Sequence, residues 1–346
     1  MFRLFQRIKH FVERIFREGK RLPKRLNTFG IKVALISFWD GLIPPGKSHK
    51  YIQIISKYVD DFLVGLIKKY KEENLSRDYI KIRDKKIPIW CCWWQGEERM
   101  PELVKMCHAR LKQVIPNDKA ELHLITLDNY KKYVDIPEHI VKKFDAGIIT
   151  MTAMSDVLRF WLLEKYGGFW LDATVFFTGD IPSEYFSRTF YCQRMTQNFT
   201  YNKREACGGN WCGFSMAGEK KCILFRFMKD AFSQWWENYD ILIDYVLIDY
   251  MLLSGYKYVP AIREIINSVP DNNEDIFEMY QVLNKPYSKE MYQKLVKRNV
   301  MHKLTYKMKL KKITDKGEIT LYGYLLKKVY GKEIGEKSDE EMIWEV

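Results

Sequence analysis

The stretch from Thr150 to Phe177, TMTAMSDVLRFWLLEKYGGFWLDATVFF, combines an apolar helix pattern, a double glycine and an apolar strand pattern. Apolar residues fall on nearly every side of residues 152 to 166, which is typical of a helix buried all round. Gly167 and Gly168 predict the end of that helix, and Phe169 to Phe177 follows as a strand. Helix, tight turn and strand in this order indicate an α/β fold.

Two charged residues interrupt the predicted helix. Asp156 and Arg159 are three residues apart, so they share one helix face. A buried charge without a partner is strongly destabilising, so these residues must pair with each other or face a polar cavity. A structural ion pair and a ligand site that uses both groups remain alternatives.

A further acidic residue lies in the predicted strand. Strand alternation places Asp172 on one face with Trp170 and Thr174. A carboxylate in an apolar strand needs compensation, so the pattern predicts a bound cation or a hydroxyl-rich ligand.

The preceding segment repeats strand and helix. Ile87 to Trp94 predicts a buried strand, Pro101 opens a helical pattern that stops before Pro116, and Glu121 to Leu127 predicts a second strand. This alternation indicates a parallel sheet, in which ligands bind beyond the carboxyl ends of the strands. One such end carries Trp93, Trp94 and Gln95.

The run S-D-x-L-R-x-x-x-L-x-x-Y-G-G-x-W-L-D-A-T-V, from Ser155 to Val175, resembles the capsular polysaccharide synthesis family of sugar transferases. That family is related to a class of mannosyltransferases and, more distantly, to the clostridial glucosylating toxins. The resemblance covers about residues 86 to 330. Other stretches that agree with the family are Pro88 to Glu98, Gly147 to Thr150, Gly209 to Trp211 and His302 to Thr305.

The resemblance implies a GT-A fold, which is a Rossmann-like mixed sheet flanked by helices. It also implies a nucleotide-sugar donor, most simply a UDP-sugar, retention of anomeric configuration, and a metal ion bound by a D-x-D motif. Asp156 and Arg159 would contact the sugar and ribose of the donor. Trp93 or Trp94 would stack on the base beside Gln95, and Asp172 would be the first acid of D-x-D.

The sequence departs from D-x-D at its third position, which is Thr174. A neutral hydroxyl is a weak ligand for Mg²⁺ or Mn²⁺, so three alternatives remain. In the first alternative, the protein uses such an ion, held by Asp172, Thr174, His302 and the diphosphate. In the second, it works without metal and neutralises the diphosphate with cations such as Lys303. In the third, it has lost catalysis and only binds nucleotide sugars.

Further candidates follow along the chain. Asp244 and Asp249 stand in an apolar stretch that predicts a helix, where five residues of separation turn them about 140° apart. Only one can therefore face a site, and likeness to related retaining transferases favours Asp244. Asn210 and Trp211 suggest a wall for the acceptor or donor sugar, the alternative being a tight turn into a strand.

The positive charge lies at the N-terminus. Residues 1 to 86 hold 21 Lys and Arg against 9 Asp and Glu, whereas the remainder is nearly neutral, which argues against a nucleic-acid partner. Apolar residues at three-to-four-residue spacing among nine cations in residues 1 to 26 predict an amphipathic basic helix that lies on an anionic membrane. Packing of this helix on the rest of the chain is the alternative.

These patterns predict a basic helical extension over residues 1–85, a GT-A domain over 86–330 and an acidic tail over 331–346. No apolar run is long enough to span a bilayer, and the seven cysteines form no disulfide framework, which favours a reduced compartment. The expected function is a retaining glycosyltransferase that is peripheral on the cytoplasmic face of the plasma membrane and extends a capsular or lipid-linked glycan. The rival is a nucleotide-sugar-binding or membrane-scaffold protein with weak catalysis.

Overall fold

The computed structural model of the chain describes residues 2–42, 48–72, 86–182, 184–196 and 205–331. They form a mixed α/β structure with helices around a five-stranded sheet and a helical N-terminus. This confirms the architecture expected of a GT-A-type fold. The predicted acidic tail lies outside the described residues, apart from Gly331.

The strands form two sheets. Five are ordered β2-β1-β3-β6-β5, with β1 and β2 parallel and β5 and β6 antiparallel, while β4 and β7 form a separate antiparallel pair. The strands are β1 (Ile87–Cys92), β2 (Ala120–Ile125), β3 (Gly168–Asp172), β4 (Val175–Phe177), β5 (Phe190–Cys192), β6 (Ser215–Gly218) and β7 (Met301–Lys303).

The helices include the one predicted after Pro101, at α4, and the one predicted over residues 152 to 166, at α7. In chain order they are α1 (Phe2–Leu42), α2 (His49–Phe62), α3 (Val64–Glu72), α4 (Glu102–Val114), α5 (Tyr130–Tyr133), α6 (Glu138–Asp145), α7 (Met151–Tyr166), α8 (Glu184–Ser187), α9 (Ile223–Asn238), α10 (Leu247–Tyr258), α11 (Pro260–Asn267), α12 (Glu278–Gln281), α13 (Lys289–Arg298) and α14 (Leu321–Tyr330).

The chain forms two compact units. The first unit comprises Met1–Asp84, Tyr130–Trp170 and Glu184–Glu274, and the second comprises Lys85–Asn129, Leu171–Ser183 and Asp275–Val346. This division differs from the expected separate extension over residues 1–85, because α2 packs against α10 inside the first unit. Asp60 of α2 accepts hydrogen bonds from Ser254 and from Lys257 of α10.

Helix α7 ends at a turn that requires glycine. The Thr150 side chain accepts a hydrogen bond from the Ala153 N–H and caps the start of the helix. Gly167 follows the last turn with φ of 68°, and a Cβ there would lie 2.6 Å from the backbone nitrogen of Lys220. Positive φ and this close approach together exclude a side chain at that position.

The predicted strand from Phe169 to Phe177 is two strands. β3 ends at Asp172, Ala173 and Thr174 make a turn, and β4 then pairs with β7. Asp172 therefore lies at the carboxyl end of β3 and not in the middle of a strand. Both strands are buried, so their residues form one continuous apolar run in the sequence. The break between them is visible only because β3 pairs within the main sheet whereas β4 pairs with β7.

Helix α1 is a hairpin of two arms. Gly30, with φ of 80° and ψ of 170°, interrupts the helix, and a Cβ at Gly41 would lie 2.7 Å from the Glu18 side chain. Residues 31–42 therefore fold back along residues 18–29. Burial alone would raise the pKa of the Glu18 carboxyl, but hydrogen bonds from Arg17 and Arg25 outweigh it and lower that pKa.

The first arm of α1 comprises residues 2–29. Its N-terminal part, before the contact of Glu18 with Gly41, is exposed. Six of its large apolar side chains face solvent, whereas Phe29 at the other end of the arm packs on Tyr58 and Trp235. The exposed residues are Phe5, Ile8, Phe11, Val12, Ile15 and Phe16. None of the helices in the described part of the chain is both long and apolar enough to cross a lipid bilayer.

Candidate functional site

The second unit pairs two of the predicted site residues. Lys303 Nζ donates a hydrogen bond to Asp172 Oδ2 at 2.7 Å, although the two residues are far apart in sequence. The Asp172 side chain is 32% exposed and that of Lys303 is 19% exposed. The pair is therefore partly open to solvent, at the carboxyl end of β3 where ligands are expected.

Lys303 owes its position to the β4–β7 pair. Val175 lies opposite Lys303 and Phe176 lies opposite His302 in the ladder. The Leu304 N–H donates to the Thr174 carbonyl at 2.9 Å and the Lys303 N–H to the Ile276 carbonyl at 2.8 Å. These backbone bonds hold the lysine beside the turn that follows Asp172.

His302 points away from Asp172. Neighbouring residues of a strand face opposite sides, and Lys303 already faces Asp172. His302 is 0% exposed. Burial lowers its pKa to about 4, so the imidazole is neutral. The expected grouping of His302 with Asp172 in one metal site is thus wrong for this geometry.

The residues do not fit the metal ion that D-x-D implies. Thr174 is buried in the turn, and its carbonyl accepts a backbone hydrogen bond. Within the described ranges, no group of three or more His, Cys, Asp or Glu side chains could hold a metal ion. The Oδ2 atom of Asp172 already contacts the ammonium group of Lys303.

An aromatic pair lies in the same unit. Trp93, which follows β1, packs on a small core cluster that contains Cys91 and Ala173, the neighbour of Asp172. The ring of Tyr306 meets the Trp93 ring edge-on, with centroids 5.6 Å apart, and Tyr306 is exposed. Sequence reasoning missed Tyr306, and its place just after the HKLT stretch was the available signal.

The pKa of the Cys91 thiol depends in part on the charges of Asp172 and Lys303. Burial raises its pKa to about 12, the Asp172 charge adds to that rise and the Lys303 charge opposes it. The ion pair is therefore close to the end of β1. Trp94 is buried and Gln95 is exposed, so Trp93 and Gln95 are the more accessible of the three predicted donor contacts there.

The first unit contains the other predicted residues. Arg159 Nη2 lies 3.0 Å from Asp156 Oδ1, Arg159 Nη1 donates to the Gly213 carbonyl, and the guanidinium lies over the Trp170 ring at 5.1 Å. Arg159 is buried. Asp156 and Arg159 thus pair with each other, as in one of the two alternatives that the sequence left open, whereas a ligand that uses both groups remains a proposal.

The loop that carries Asn210, Trp211 and Gly213 contacts both α7 and α10. Trp211 Nε1 donates to Asp249 Oδ1 at 3.0 Å, and Gly213 accepts the bond from Arg159. Trp211 is 1% exposed, which corrects the expectation of a sugar-facing indole, because its ring lies in the core. The half-buried Asn210 amide donates to the Cys207 carbonyl, as in the alternative of a tight turn.

Asp244 lies before α10 and contacts α2. The predicted helix begins only at Leu247, so Asp244 precedes it and the argument from helical angle does not apply. Its carboxylate accepts hydrogen bonds from Tyr51 Oη at 2.7 Å and from the Val246 N–H at 3.0 Å. Asp249 is the acid that contacts a predicted site residue.

Comparison with known proteins agrees with the motif. A family model described as capsular polysaccharide synthesis protein matches residues 45–325. The match starts well before residue 86, so it includes α2 and α3, which the resemblance had left out. No curated protein matches the chain.

Proposed function

This chain belongs to the capsular polysaccharide synthesis protein family, and from that premise we propose that it is a retaining glycosyltransferase. It transfers a sugar from a nucleotide-sugar donor to a growing capsular or cell-surface polysaccharide. The observation that carries the proposal is the partly exposed ion pair of Asp172 and Lys303 at the carboxyl end of β3. Retention of configuration and the glycan or lipid-linked acceptor rest on the family resemblance.

Asp172 and Lys303 have the charges that glycosyl transfer needs. Negative charge develops on the leaving diphosphate, and a fixed ammonium group stabilises it. Positive charge develops on the sugar ring, and a carboxylate beside the ring stabilises that charge. The proposed step breaks the bond between the anomeric carbon and the diphosphate oxygen and forms one to an acceptor hydroxyl on the same face of the sugar, and the hydroxyl proton passes to the departing diphosphate oxygen.

Trp93 and Tyr306 are the proposed contacts for the donor base. Base stacking on an aromatic ring contributes about 1–3 kcal/mol. The edge-on ring pair leaves Tyr306 exposed beside Trp93, an arrangement that suits a planar base. We propose a uracil base, and therefore a UDP-sugar, as the first donor to test.

In the first unit, we assign Asp156 and Arg159 to the donor's sugar and ribose, following the family resemblance. Asp249 replaces Asp244 as the favoured second acid, because it contacts the loop that Arg159 also contacts. Asp244 is instead buried against Tyr51 of α2.

A panel of nucleotide sugars tests the proposal. We expect one donor to raise the melting temperature, since a ligand at about 100 times its Kd adds about 2.7 kcal/mol to stability. The same donor should yield a glycosylated product with a lipid-linked or oligosaccharide acceptor. If no nucleotide sugar either stabilises the protein or is consumed, the proposal fails.

A second candidate is a nucleotide-sugar-binding protein without turnover, which Thr174 in place of an acid favours. Stabilisation by a donor without product or hydrolysis, across the acceptors tested, would establish this candidate instead.

We also propose that the first arm of α1 binds the cytoplasmic face of an anionic membrane. Its exposed apolar side chains lie among cations, a combination that binds lipid interfaces. Arg17 and Arg21 remain more than half exposed while they neutralise Glu18. Ile31 and Trp39 of the second arm are exposed as well.

Replacing Phe5 and Phe16 by serine should weaken binding to phosphatidylglycerol vesicles at least tenfold, measured by vesicle sedimentation. These side chains are 72% and 67% exposed, and burying each one contributes about 2 kcal/mol. The double variant Val64→Ser, Tyr245→Ser removes equally exposed apolar groups elsewhere and should bind as the unmodified protein does. Equal binding by the phenylalanine variant would refute the role of this arm.

A further inference from the structure

We propose that Lys303 takes the place of a divalent cation at the Asp172 site, so that the protein binds a nucleoside diphosphate without metal. This inference rests on the proposed function, because it states how the same site compensates the charge of the donor. The resemblance implies a metal in D-x-D transferases, and here the third position of that motif is Thr174.

The ammonium group is held firmly. Lys303 is the last residue of β7, and backbone hydrogen bonds at Lys303 and Leu304 join it to Ile276 and Thr174. Its Nζ lies 2.7 Å from Asp172 Oδ2, and its side chain is mostly buried. A charge fixed in this way needs little reorganisation when a diphosphate arrives.

A metal ion would compete with this lysine. Divalent cations bind carboxylate oxygens at about 2.0–2.6 Å, close to the distance at which the ammonium contacts Asp172. Two cations on one carboxylate repel each other strongly in a partly buried site. Lys303 therefore occupies, beside Asp172 Oδ2, the position at which a metal ion would bind this carboxylate.

The rest of a metal coordination shell is missing. Mg²⁺ requires near-octahedral oxygen ligands, and Mn²⁺ also favours oxygen donors. His302 lies on the opposite face of β7 and is fully buried, and Thr174 offers a buried hydroxyl. Across the residues that the structure describes, no cluster of three or more acidic, histidine or cysteine side chains could hold a metal ion.

The lysine also suits the ligand. An ammonium group has three N–H donors, so it can contact Asp172 and still donate to a phosphate oxygen. A hydrogen bond between two charged groups is short and strong. Asp172 thus orients the ammonium group towards the diphosphate.

The test is calorimetric titration of the full chain with UDP, and with GDP and CDP, in EDTA and again in excess Mn²⁺. We expect one diphosphate to bind with a Kd that differs less than threefold between the two conditions. Lys303→Met should weaken that binding in EDTA at least tenfold, and Lys303→Arg should retain most of it. Lys307→Met removes an exposed lysine nearby and should leave the Kd unchanged.

The outcomes separate this inference from the proposed function. Binding that requires Mn²⁺, or that survives Lys303→Met in EDTA, overturns the inference while the function stands. If no diphosphate binds under either condition, the proposed function itself fails. Thermal unfolding of each variant shows whether a lost affinity reflects a lost fold.

Discussion

Replacing Asp172 by asparagine should lower kcat/KM for sugar transfer at least about 100-fold, the range found when one charge-stabilising group is removed. Asparagine keeps the size of the side chain but removes its negative charge, so it neither stabilises a positive sugar ring nor orients Lys303. The measurement is the initial rate of product formation with the donor that the panel identifies.

The fold should tolerate this substitution. Asp172 is at the end of β3 and is partly exposed, so solvent compensates for much of the lost ion pair. Asp118→Asn, at an exposed position just before the start of β2, is the matched control and should keep full activity. Full activity in the Asp172 variant, with a normal melting temperature, would remove Asp172 from the site.

Replacing Asp156 by asparagine should lower the free energy of unfolding by about 3 kcal/mol, because the Arg159 charge stays buried without its carboxylate. Arg159 keeps its bond to Gly213 and its contact with Trp170, which places the loss at the lower end of the range for broken buried pairs. Denaturant unfolding under reducing conditions measures the change.

The control for this prediction is an ion pair of neighbouring turns on an exposed helix, four residues apart where Asp156 and Arg159 are three apart. Glu138 and Lys142 of α6 lie 2.9 Å apart and are both highly exposed, so Glu138→Gln should barely change stability. A comparably small loss in Asp156→Asn would show that Arg159 is not held by its pair. Transfer activity of the folded Asp156 variant then separates the alternatives: a structural pair leaves turnover intact, whereas a donor contact lowers it.

Local patterns predicted the elements around the site with good accuracy. The extent of α7 was predicted from the apolar run and Gly167, and that of α4 from the flanking prolines. These signals lie within a few residues of the elements that they define, since capping, periodicity and positive φ are local properties. Placing the start of α10 failed because Asp244 is held by Tyr51, which is remote in sequence.

Residue order along short segments was enough to predict the α/β class, the family and Asp172 as a site residue. Contacts between distant segments were needed to show that β4 leaves the main sheet for β7, that Lys303 and not His302 faces Asp172, and that Trp211 is buried against Asp249. Those outcomes depend on strand pairing and side-chain direction between distant segments. A shift of one residue in the β4–β7 register would exchange the faces of Lys303 and His302, and no local pattern specifies that register.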